Sequence, residues 1–579
     1  MQKIFERAKG LSTVTKYTVV LFISLLLMFL YFAVVTWSPL VNFPLKLWSA
    51  LADASVIVLL SLLLRGKWKI ISAAFPFLMA LLIAVNVLYF RNFGDLIPPS
   101  QYLVNDLSDP IILDNAKASL RFFDVVFFIV VPFVPLVYII FTDKASFFHS
   151  NFKYSRIGLC AIAVLVIWLV PYSIFFTKKA IRNHSLSFED NLGYLFVDHD
   201  VSWRFFYDNH NFSGYLYMIA SNASKPKRLL SDAEVKEIKG YLGRKETDYP
   251  ALKNVFDGNK DKNLIMIVVE SLPYRVFKLR EANIVMPYLD SVASSPDNVV
   301  KRCLSLVGYG RSSDAHFIYN TGLLPLREEP LVVNYASRDF PSIAKALDRP
   351  SIEIIGEKKY VWSHEQTSRS YGFDRLVSDL TTDETGQDSI IFNNALREIR
   401  TLRQPFFALI STLTTHSPFT TQKINPRPDF GSLSYDDPRD REYLERLWYA
   451  DSQIASFIEN LKRLGIYDNS VVVIIGDHEI GHWNISPYLN DDSVPFIILN
   501  AGNVATRDSG ITQADVFPTL LDLMNARYRF YDTGYRGVGK SIFMTSPSDS
   551  VSFTPSDTDY LISEMIITGI RKLKRGFTP

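Results

Sequence analysis

Long apolar stretches are concentrated in the first part of the chain, before about residue 177. Five of them are long enough to cross a bilayer core as a helix, which takes roughly 20 residues. They lie at 18–36, 47–64, 71–90, 122–141 and 157–176. Five buried core helices of this length and apolarity would be unusual in a water-soluble protein. The pattern therefore predicts a transmembrane domain of five helices over residues 1–177.

After residue 260 the pattern changes to short apolar runs that alternate with amphipathic or polar stretches. The runs predict strands at 264–269, 351–355, 406–411, 471–475 and 496–499. The runs at 264–269 and 471–475 are apolar throughout, as in strands that are buried on both faces of a parallel sheet. Residues 441–464 have the spacing of a long amphipathic helix. This alternation predicts an α/β domain over residues 261–545, with a mainly parallel sheet and helices on both faces.

The two remaining segments have weaker patterns. Residues 178–260 are predicted to be a juxtamembrane connecting segment, in which aromatic stretches such as 203–207 lie on the membrane surface. Ser231 with Glu234 three residues later is a capping-box pattern and predicts the start of a charged helix. Residues 546–579 leave two interpretations open, a helix docked on the domain or a C-terminal tail.

Basic residues flank the predicted spans unevenly, and this asymmetry orients them. Four lysines and arginines precede the first span, whereas the third connection, 91–120, offsets its two basic residues with four aspartates. Because cytoplasmic loops carry the excess of positive charge, the N-terminus is expected in the cytoplasm. An odd number of spans then places everything after residue 176 outside the cell membrane. The first span lacks a small-residue cleavage site, so it is interpreted as an anchor rather than a removed signal peptide.

Composition argues against several kinds of site. The net charge is +2 without a basic stripe, so nucleic-acid binding is not expected. The chain has 2 cysteines, of which Cys160 lies inside the fifth predicted span and Cys303 in the exported part. Neither a disulfide framework nor a metal site built from cysteines is therefore expected.

Metal-type ligands follow both of the strands that are predicted to be fully buried. Asp477 and His478 come after the strand at 471–475, and Glu270 directly follows the strand at 264–269. Parallel α/β sheets bind ligands at the carboxyl ends of their strands, and carboxylate and imidazole are good ligands for a divalent metal. Each residue alone is equally well explained as a helix cap or a solvated strand end. Together they predict a metal site.

Two further polar segments are expected at the same edge of the sheet. Arg311 and Ser312 follow a glycine-flanked turn, 308–310, at a predicted helix start, where free N–H groups favour an anion. Ser312 by itself is a helix cap, but beside the predicted metal it becomes a candidate nucleophile, since a divalent metal lowers the pKa of a bound hydroxyl. His416 follows the strand at 406–411, where it could bind a phosphoryl oxygen or protonate a leaving alkoxide.

Taken in order, these motifs resemble those of lipoteichoic acid synthases, the membrane-bound phosphoglycerol transferases of the alkaline phosphatase/sulfatase superfamily. The matching segments are Val269-Glu270-Ser271, Gly310-Arg311-Ser312-Ser313-Asp314-Ala315, Thr415-His416-Ser417-Pro418-Phe419, Gly476-Asp477-His478 and residues 513–521. Five spans followed by an exported catalytic domain is also the architecture of that family. The resemblance implies an alkaline phosphatase/sulfatase-like fold for residues 261–545.

The resemblance also implies roles for individual residues. One divalent metal, usually Mn²⁺ with Zn²⁺ or Mg²⁺ as alternatives, would be bound by Glu270, Ser312, Asp477 and His478. Ser312 would be the nucleophile that is transiently phosphorylated, and Arg311 and His416 would contact the phosphoryl group.

The chain departs from the family pattern at a few of these positions. Arg311 and Ser312 stand where the family usually has lysine and threonine, which preserves the charge and the hydroxyl. Ile355 and His364 stand where the family has a histidine and an arginine that contact the headgroup. Trp362 and His364 are therefore expected to bind the substrate, together with Arg311 and His416.

The predicted function is a metal-dependent phosphotransferase. Ser312 attacks the phosphorus of a phospholipid donor, expels diacylglycerol, and passes a phosphoglycerol-type headgroup to a glycan or lipid acceptor on the outer side of the membrane. The alternatives are a phosphoethanolamine transferase, a phosphodiesterase or phosphatase with water as acceptor, and a non-catalytic membrane assembly protein. A single exported cysteine argues against the phosphoethanolamine transferases of lipid A, whose exported domains typically carry several disulfides. The oligomeric state is left open.

Overall fold

The described part of the chain forms two units. A computed structural model describes residues 12–36, 43–93, 119–149, 157–167 and 228–249, the single residues 97, 117, 155 and 252, and residues 256–570 apart from gaps at 328–329, 360, 381–386, 418, 420–423, 425, 431–436, 481–484, 503–504, 508–509 and 544–553. The described residues up to 167 belong to one compact unit and those from 228 onward to the other. Residues 228–249, which fall in the predicted connecting segment, thus belong to the second unit.

The first unit is helical. Its helices are α1 (Thr13–Val35), α2 (Phe43–Leu63), α3 (Phe75–Phe93), α4 (Phe122–Val125), α5 (Val131–Ile140), α6 (Lys144–His149) and α7 (Ile157–Ile167). A 3₁₀ stretch joins α2 to α3, and a π-helical turn joins α4 to α5, so that each pair runs on almost without interruption.

Four described helical segments are long and apolar enough to cross a membrane. They are Thr13–Val35, Lys46–Leu63, Gly66–Arg91 and Phe122–Ile140. These correspond to the first four predicted spans, and the protein is a membrane protein. Of the fifth predicted span, 157–176, the structure describes an apolar helix over Ile157–Ile167, and the remainder lies outside the described residues.

A buried ion pair joins two of these segments. Arg91 Nη1 lies 2.5 Å from Asp124 Oδ2, and the hydroxyl of Tyr31 donates to Asp124 Oδ1 at 2.7 Å. Charged side chains inside a bilayer are costly unless they are paired. This contact therefore ties α1, α3 and α4 together.

The second unit is built on an eight-stranded sheet with strand order β5-β4-β6-β2-β7-β8-β3-β9. The strands are β2 (Asn263–Val269), β3 (Val299–Leu304), β4 (Ser351–Ile354), β5 (Arg375–Val377), β6 (Phe407–Ser411), β7 (Ser470–Gly476), β8 (Ser493–Leu499) and β9 (Ile511–Thr512). Only β8 runs antiparallel to its neighbours in this sheet, β7 and β3. The predicted mainly parallel sheet is confirmed.

Helices cover both faces of the sheet. They are α8 (Asp232–Asp248), α9 (Ala282–Val285), α10 (Pro287–Ser294), α11 (Ser312–Thr321), α12 (Leu331–Asn334), α13 (Ile343–Leu347), α14 (His364–Tyr371), α15 (Gln387–Ile399), α16 (Pro438–Arg463), α17 (Val516–Leu523) and α18 (Asp557–Thr568). Alternate residues of β2 enter two different cores. Leu264 and Met266 pack with α11 and α17, whereas Ile265 and Ile267 pack with α15 and α16. Both faces of β2 are thus buried, which explains its continuous apolar sequence.

The C-terminal helix is docked on the second unit. α18 buries Ile562, Met565, Ile566 and Ile567. Two short strands before it, β10 (Arg529–Phe530) and β11 (Thr533–Gly534), form a separate antiparallel pair. The strand that follows α18, β12 (Gly569–Ile570), pairs in parallel with β1 (Arg228–Leu229). Two interpretations of residues 546–579 were open, a docked helix or a tail. In the described part of this segment, the structure shows a docked helix.

Candidate functional site

Two neighbouring strands deliver the predicted ligands to one point. β2 and β7 are paired in parallel up to Val269 and Gly476, so the residues that follow them, Glu270 and Asp477, leave the sheet side by side. Glu270, Asp477 and His478 are all buried, and one ligand atom of each lies within 4.8 Å of those of the other two. The structure therefore brings three of the four predicted metal ligands together.

The fourth predicted ligand, Ser312, joins them as the first residue of α11. Its Oγ lies 3.1 Å from His478 Nε2 and 3.3 Å from Glu270 Oε2. The preceding residue, Arg311, has φ 44° and ψ −114°, a conformation that non-glycine residues rarely adopt. This bend at the helix start turns the hydroxyl towards the ligands.

The turn before Ser312 is held by a buried carboxylate. Asp314 Oδ2 accepts hydrogen bonds from the backbone N–H groups of Gly308 and Gly310, both at 2.9 Å. A Cβ at Gly310 would lie only 2.2 Å from Asp314 Oδ1. Burial raises the pKa of Asp314 to about 7. Only glycine fits at position 310, because its backbone meets the carboxylate without space for a side chain.

Hydrogen bonds orient each ligand so that one atom is left for a cation. Asp477 Oδ1 accepts from the backbone N–H groups of Ser271 at 2.7 Å and His478 at 2.6 Å. Ser271 Oγ donates to Glu270 Oε1 at 2.6 Å. His478 Nδ1 lies 2.7 Å from the carbonyl oxygen of Glu479, so the proton belongs on Nδ1 and the lone pair of Nε2 faces the cluster.

The buried carboxylates of this cluster favour the binding of a positive charge. Burial, with the neighbouring Glu270, raises the pKa of Asp477 to about 6. Burial lowers the pKa of His478. Both shifts arise mainly because ionised groups are unfavourable in a buried site. Carboxylate oxygens, an imidazole nitrogen and a hydroxyl form a donor set that fits a divalent metal ion.

Arg311 is held by a residue to which the sequence analysis assigned no role. Its Nη1 lies 2.7 Å from Glu479 Oε1, and its Nη2 donates to the carbonyl oxygen of Glu479 at 2.8 Å. Burial alone would raise the pKa of Glu479, but Arg311 and His478 outweigh it and lower that pKa to about 2. The ion pair keeps the positive charge of Arg311 next to the ligand cluster.

The remaining predicted site residues lie in two different environments. His364 is buried and lines the same cavity as Glu270 and Ser312. His416 follows β6 and is half-buried. Burial would raise the pKa of Glu357, but His364 and, to a smaller extent, His416 lower it. Trp362, by contrast, packs against the hydrophobic core.

The structure also brings three residues to this cavity that the sequence analysis missed. His316 and Glu357 line the cavity, and Glu353 lies beside His316. One signal was available for His316, since it lies four residues after Ser312 and therefore on the same helix face. Glu353 lies within a strand and gave no such signal.

A mainly parallel sheet that gathers carboxylate and histidine ligands beside a helix-starting serine is the alkaline phosphatase/sulfatase-like fold that the sequence motifs predicted. Residues 262–526 match the family model described as Sulfatase. Lipoteichoic acid synthase 2 of Bacillus subtilis is 24% identical over 488 residues, which are 79% of this chain and 72% of that protein. Lipoteichoic acid synthase of Staphylococcus aureus is 24% identical over 518 residues, which are 83% of this chain and 76% of that protein.

A solved structure is similar as well. The crystal structure of a lipoteichoic acid synthase of Listeria monocytogenes has a TM-score of 0.44 and 22% identity, and covers 53% of this chain and 81% of that chain. In sequence the chain is lipoteichoic acid synthase-like, with a Sulfatase-family domain over residues 262–526. The predicted enzyme class, a transferase, is confirmed. Its apolar helices and its relatives indicate a membrane protein with an extracellular catalytic domain.

Proposed function

We propose that this protein transfers a phosphoglycerol-type headgroup from a phospholipid to a hydroxyl of a glycan or lipid acceptor on the outer side of the membrane. The observation that supports the proposal best is the position of Ser312 Oγ, 3.1 Å from His478 Nε2 and 3.3 Å from Glu270 Oε2. A serine in this position can be activated as a nucleophile. The named function of the curated relatives agrees with this chemistry.

The same residues are proposed to hold one divalent metal. Its ligands would be Glu270, Ser312, Asp477 and His478, with Mn²⁺ as the proposed ion and Zn²⁺ or Mg²⁺ as the alternatives. When bound, such an ion lowers the pKa of a serine hydroxyl and polarises a phosphoryl oxygen. The raised pKa of Asp477 supports this assignment, since a bound cation would stabilise the ionised carboxylate and lower that pKa.

In the proposed first step Ser312 Oγ attacks the phosphorus in line, and the bond from phosphorus to the diacylglycerol oxygen breaks. The Ser312 hydroxyl donates to Glu270 Oε2, so this carboxylate is placed to receive the proton. Arg311 and the N-terminal N–H groups of α11 would contact the phosphoryl oxygens. His416 would protonate the departing alkoxide.

In the second step the acceptor hydroxyl attacks the phosphorus of the phosphoserine. The bond from phosphorus to Ser312 Oγ breaks, and Glu270 returns its proton to Ser312 Oγ. His416, which gave up its proton in the first step, takes the proton of the acceptor hydroxyl. The headgroup would lie against the segment that carries Trp362 and His364. The membrane domain, for which we propose five passes and a cytoplasmic N-terminus, keeps the enzyme at a surface where lipid donor is always at high local concentration.

The nucleophile is tested by Ser312→Ala. The full chain in detergent is incubated with lipid labelled in its headgroup, and release of the label is followed. We expect the variant to lose release, and the intact mass of the wild-type protein to increase by the transferred group. Ser313→Ala is the matched control, because the neighbouring hydroxyl donates to the carbonyl oxygen of Gly310 instead. Full turnover in Ser312→Ala would end the nucleophile assignment.

A further inference from the structure

Three buried side chains with metal-binding atoms lie beside the proposed catalytic centre without belonging to it. They are His316, Glu353 and His364, and one ligand atom of each lies within 4.8 Å of those of the other two. They come from three separate elements. His316 lies on α11, Glu353 on β4, and His364 is the first residue of α14. Such a group requires a tertiary arrangement, since its members are distant along the chain.

The group shares a cavity with the proposed nucleophile. His316 lies four residues after Ser312 on α11, so the two side chains point from the same helix face about one turn apart. The cavity is lined by both of them and by His364, Glu270 and Asp477. Whatever the group binds therefore lies close to a substituent on Ser312.

Two polar groups of this set lack a partner. Glu353 is fully buried, and among the described residues neither of its carboxylate oxygens has a hydrogen-bond partner within 3.5 Å. Burial would raise the pKa of Glu353, but the nearby His316, His364 and Ser368 lower it. His316 Nδ1 is likewise buried without one within the described chain. The two face each other, because His316 Nδ1 lies 3.6 Å from Glu353 Oε1. A buried carboxylate without hydrogen bonds is costly, so the arrangement points to a ligand between these atoms.

The opposite sides of both imidazoles are occupied. His316 Nε2 lies 3.1 Å from Ser411 Oγ, and His364 Nε2 lies 3.3 Å from Glu357 Oε2. The two rings meet edge to face with their centroids 5.8 Å apart. Histidines that bind a metal usually engage their second ring nitrogen in this manner, which fixes the ring and leaves the other nitrogen for the ion. For His316 that nitrogen is Nδ1, which faces Glu353.

We propose that His316, Glu353 and His364 form a second site for a divalent cation of the Zn²⁺ type. Two imidazoles and one carboxylate are a ligand set that Zn²⁺ favours, whereas the site at Ser312 offers mainly oxygen. The bound cation neutralises Glu353 and uses both unpartnered atoms. If the proposed function holds, the bound cation also faces the phosphoryl group on Ser312. His364 then contacts the headgroup through this cation. The binding itself does not depend on that function.

The number of bound ions tests the proposal. The full chain in detergent is stripped of metal with a chelator, titrated with Zn²⁺, desalted and analysed for metal. We expect two equivalents for the wild type and one for Glu353→Gln, which keeps the size of the side chain and removes its charge. The double variant Glu270→Gln/Asp477→Asn should retain the one equivalent at the second site. Glu445→Gln, a buried glutamate on α16, is the control and should bind two.

A second variant distinguishes loss of the metal site from loss of the fold. His364→Gln should also bind one equivalent, and circular dichroism shows for each variant whether the fold is retained. The second site would be overturned by one equivalent in the wild type that Glu270→Gln/Asp477→Asn loses, or by two equivalents in a folded Glu353→Gln. A hydrogen-bonded His316–Glu353 pair without metal would give the first of these results. Neither result bears on Ser312, since no turnover is measured. Loss of the proposed function would appear instead in the headgroup-release assay.

Discussion

At the scale of single residues, two residues with a strained backbone lie next to proposed ligands. Ser271 and Arg311 both have positive φ, 49° and 44°. Each lies next to a proposed ligand, Glu270 or Ser312. Such conformations cost of the order of 1–3 kcal/mol and persist only where the surrounding structure enforces them. In this protein they direct one carboxylate and one hydroxyl towards the same point.

Ser271 provides a test of how the ligands are oriented. Ser271→Ala removes the hydrogen bond to Glu270 Oε1 but keeps the backbone N–H that donates to Asp477. Loss of a hydrogen bond that orients a metal ligand typically lowers metal affinity by about 10- to 100-fold. We expect a loss of this size for Mn²⁺, measured by calorimetry, with an unchanged melting temperature of the metal-free protein. An unchanged affinity would show that Glu270 needs no such support.

The ion pair between Arg311 and Glu479 has a predictable pH dependence. The pKa of Glu479 is lowered to about 2, below its value of about 4.3 in an unfolded chain. The pair therefore contributes stability above the unfolded pKa and loses it as pH falls towards 2. Glu479→Gln should lower the free energy of unfolding by about 2 kcal/mol at neutral pH. In urea unfolding the difference from the wild type should stay constant from pH 8 to 5 and shrink below pH 4.

At the scale of elements, the turn that starts α11 decides where the nucleophile points. The turn closes on Asp314, which accepts from Gly308 and Gly310. The helix itself is anchored by Tyr319, whose hydroxyl donates to the carbonyl oxygen of Gly476 at the end of β7. α11 is thus fixed to the strand that delivers Asp477, so nucleophile and ligands form one rigid arrangement.

Gly310→Ala should disturb this arrangement more than it disturbs the fold. Its Cβ would lie 2.2 Å from Asp314 Oδ1 and 2.6 Å from Ser313 Oγ, so the turn must open and displace Ser312. A shift of about 1 Å at a reacting group can cost roughly 100-fold in rate, and we expect at least that loss of headgroup release. Gly243→Ala is the control, because a Cβ there meets nothing within 4 Å. Equal activity of the two variants would contradict this role of the turn.

The C-terminal helix α18 is expected to stabilise the second unit through one aspartate. Asp559 caps the helix through Ser556, lies 3.1 Å from Lys245 Nζ and contacts Tyr241 on α8. Removing one partner of a buried polar network costs about 3–5 kcal/mol, so Asp559→Ala should lower the melting temperature by several degrees. Asp557→Ala is the matched control in the same first turn, with its side chain 94% exposed. A similar effect of both variants would exclude the network as the cause.

At the scale of the whole molecule, metal binding and stability should be linked. A ligand that binds only the folded state at 100 times its dissociation constant adds about 2.7 kcal/mol. The pKa of Asp477 is about 6 in the folded protein, above its unfolded value of about 3.9. The metal-free protein therefore loses stability as pH rises from about 4 to about 6, when this carboxylate must ionise.

Thermal unfolding with and without Mn²⁺ tests this linkage. The cation binds the ionised carboxylate, so it should raise the melting temperature clearly at pH 7 and much less at pH 5. The variant Asp477→Asn should lose most of the shift at pH 7. A shift of the same size at both pH values would exclude ionisation of Asp477 as its origin.

The sequence by itself determined those features that depend on local pattern. Continuous apolar runs identified four spans that the structure describes and the central strands β2, β6 and β7, because a segment buried on every side must be apolar along its whole length. The polar residues that end these strands, such as Glu270 and Asp477, were recognised because parallel strands share one functional edge.

The features that were missed depend on contacts between distant segments. β3 escaped because Lys301 and Arg302 interrupt its apolar pattern and it is only partly buried, and nothing local shows that β8 runs antiparallel. Trp362 packs against the hydrophobic core, and its contact with the headgroup stays a prediction. Glu353 looks like an ordinary strand position until the fold brings His316 and His364 to it. Periodicity reports whether a segment is buried, whereas only the tertiary structure decides against which side chains it is buried.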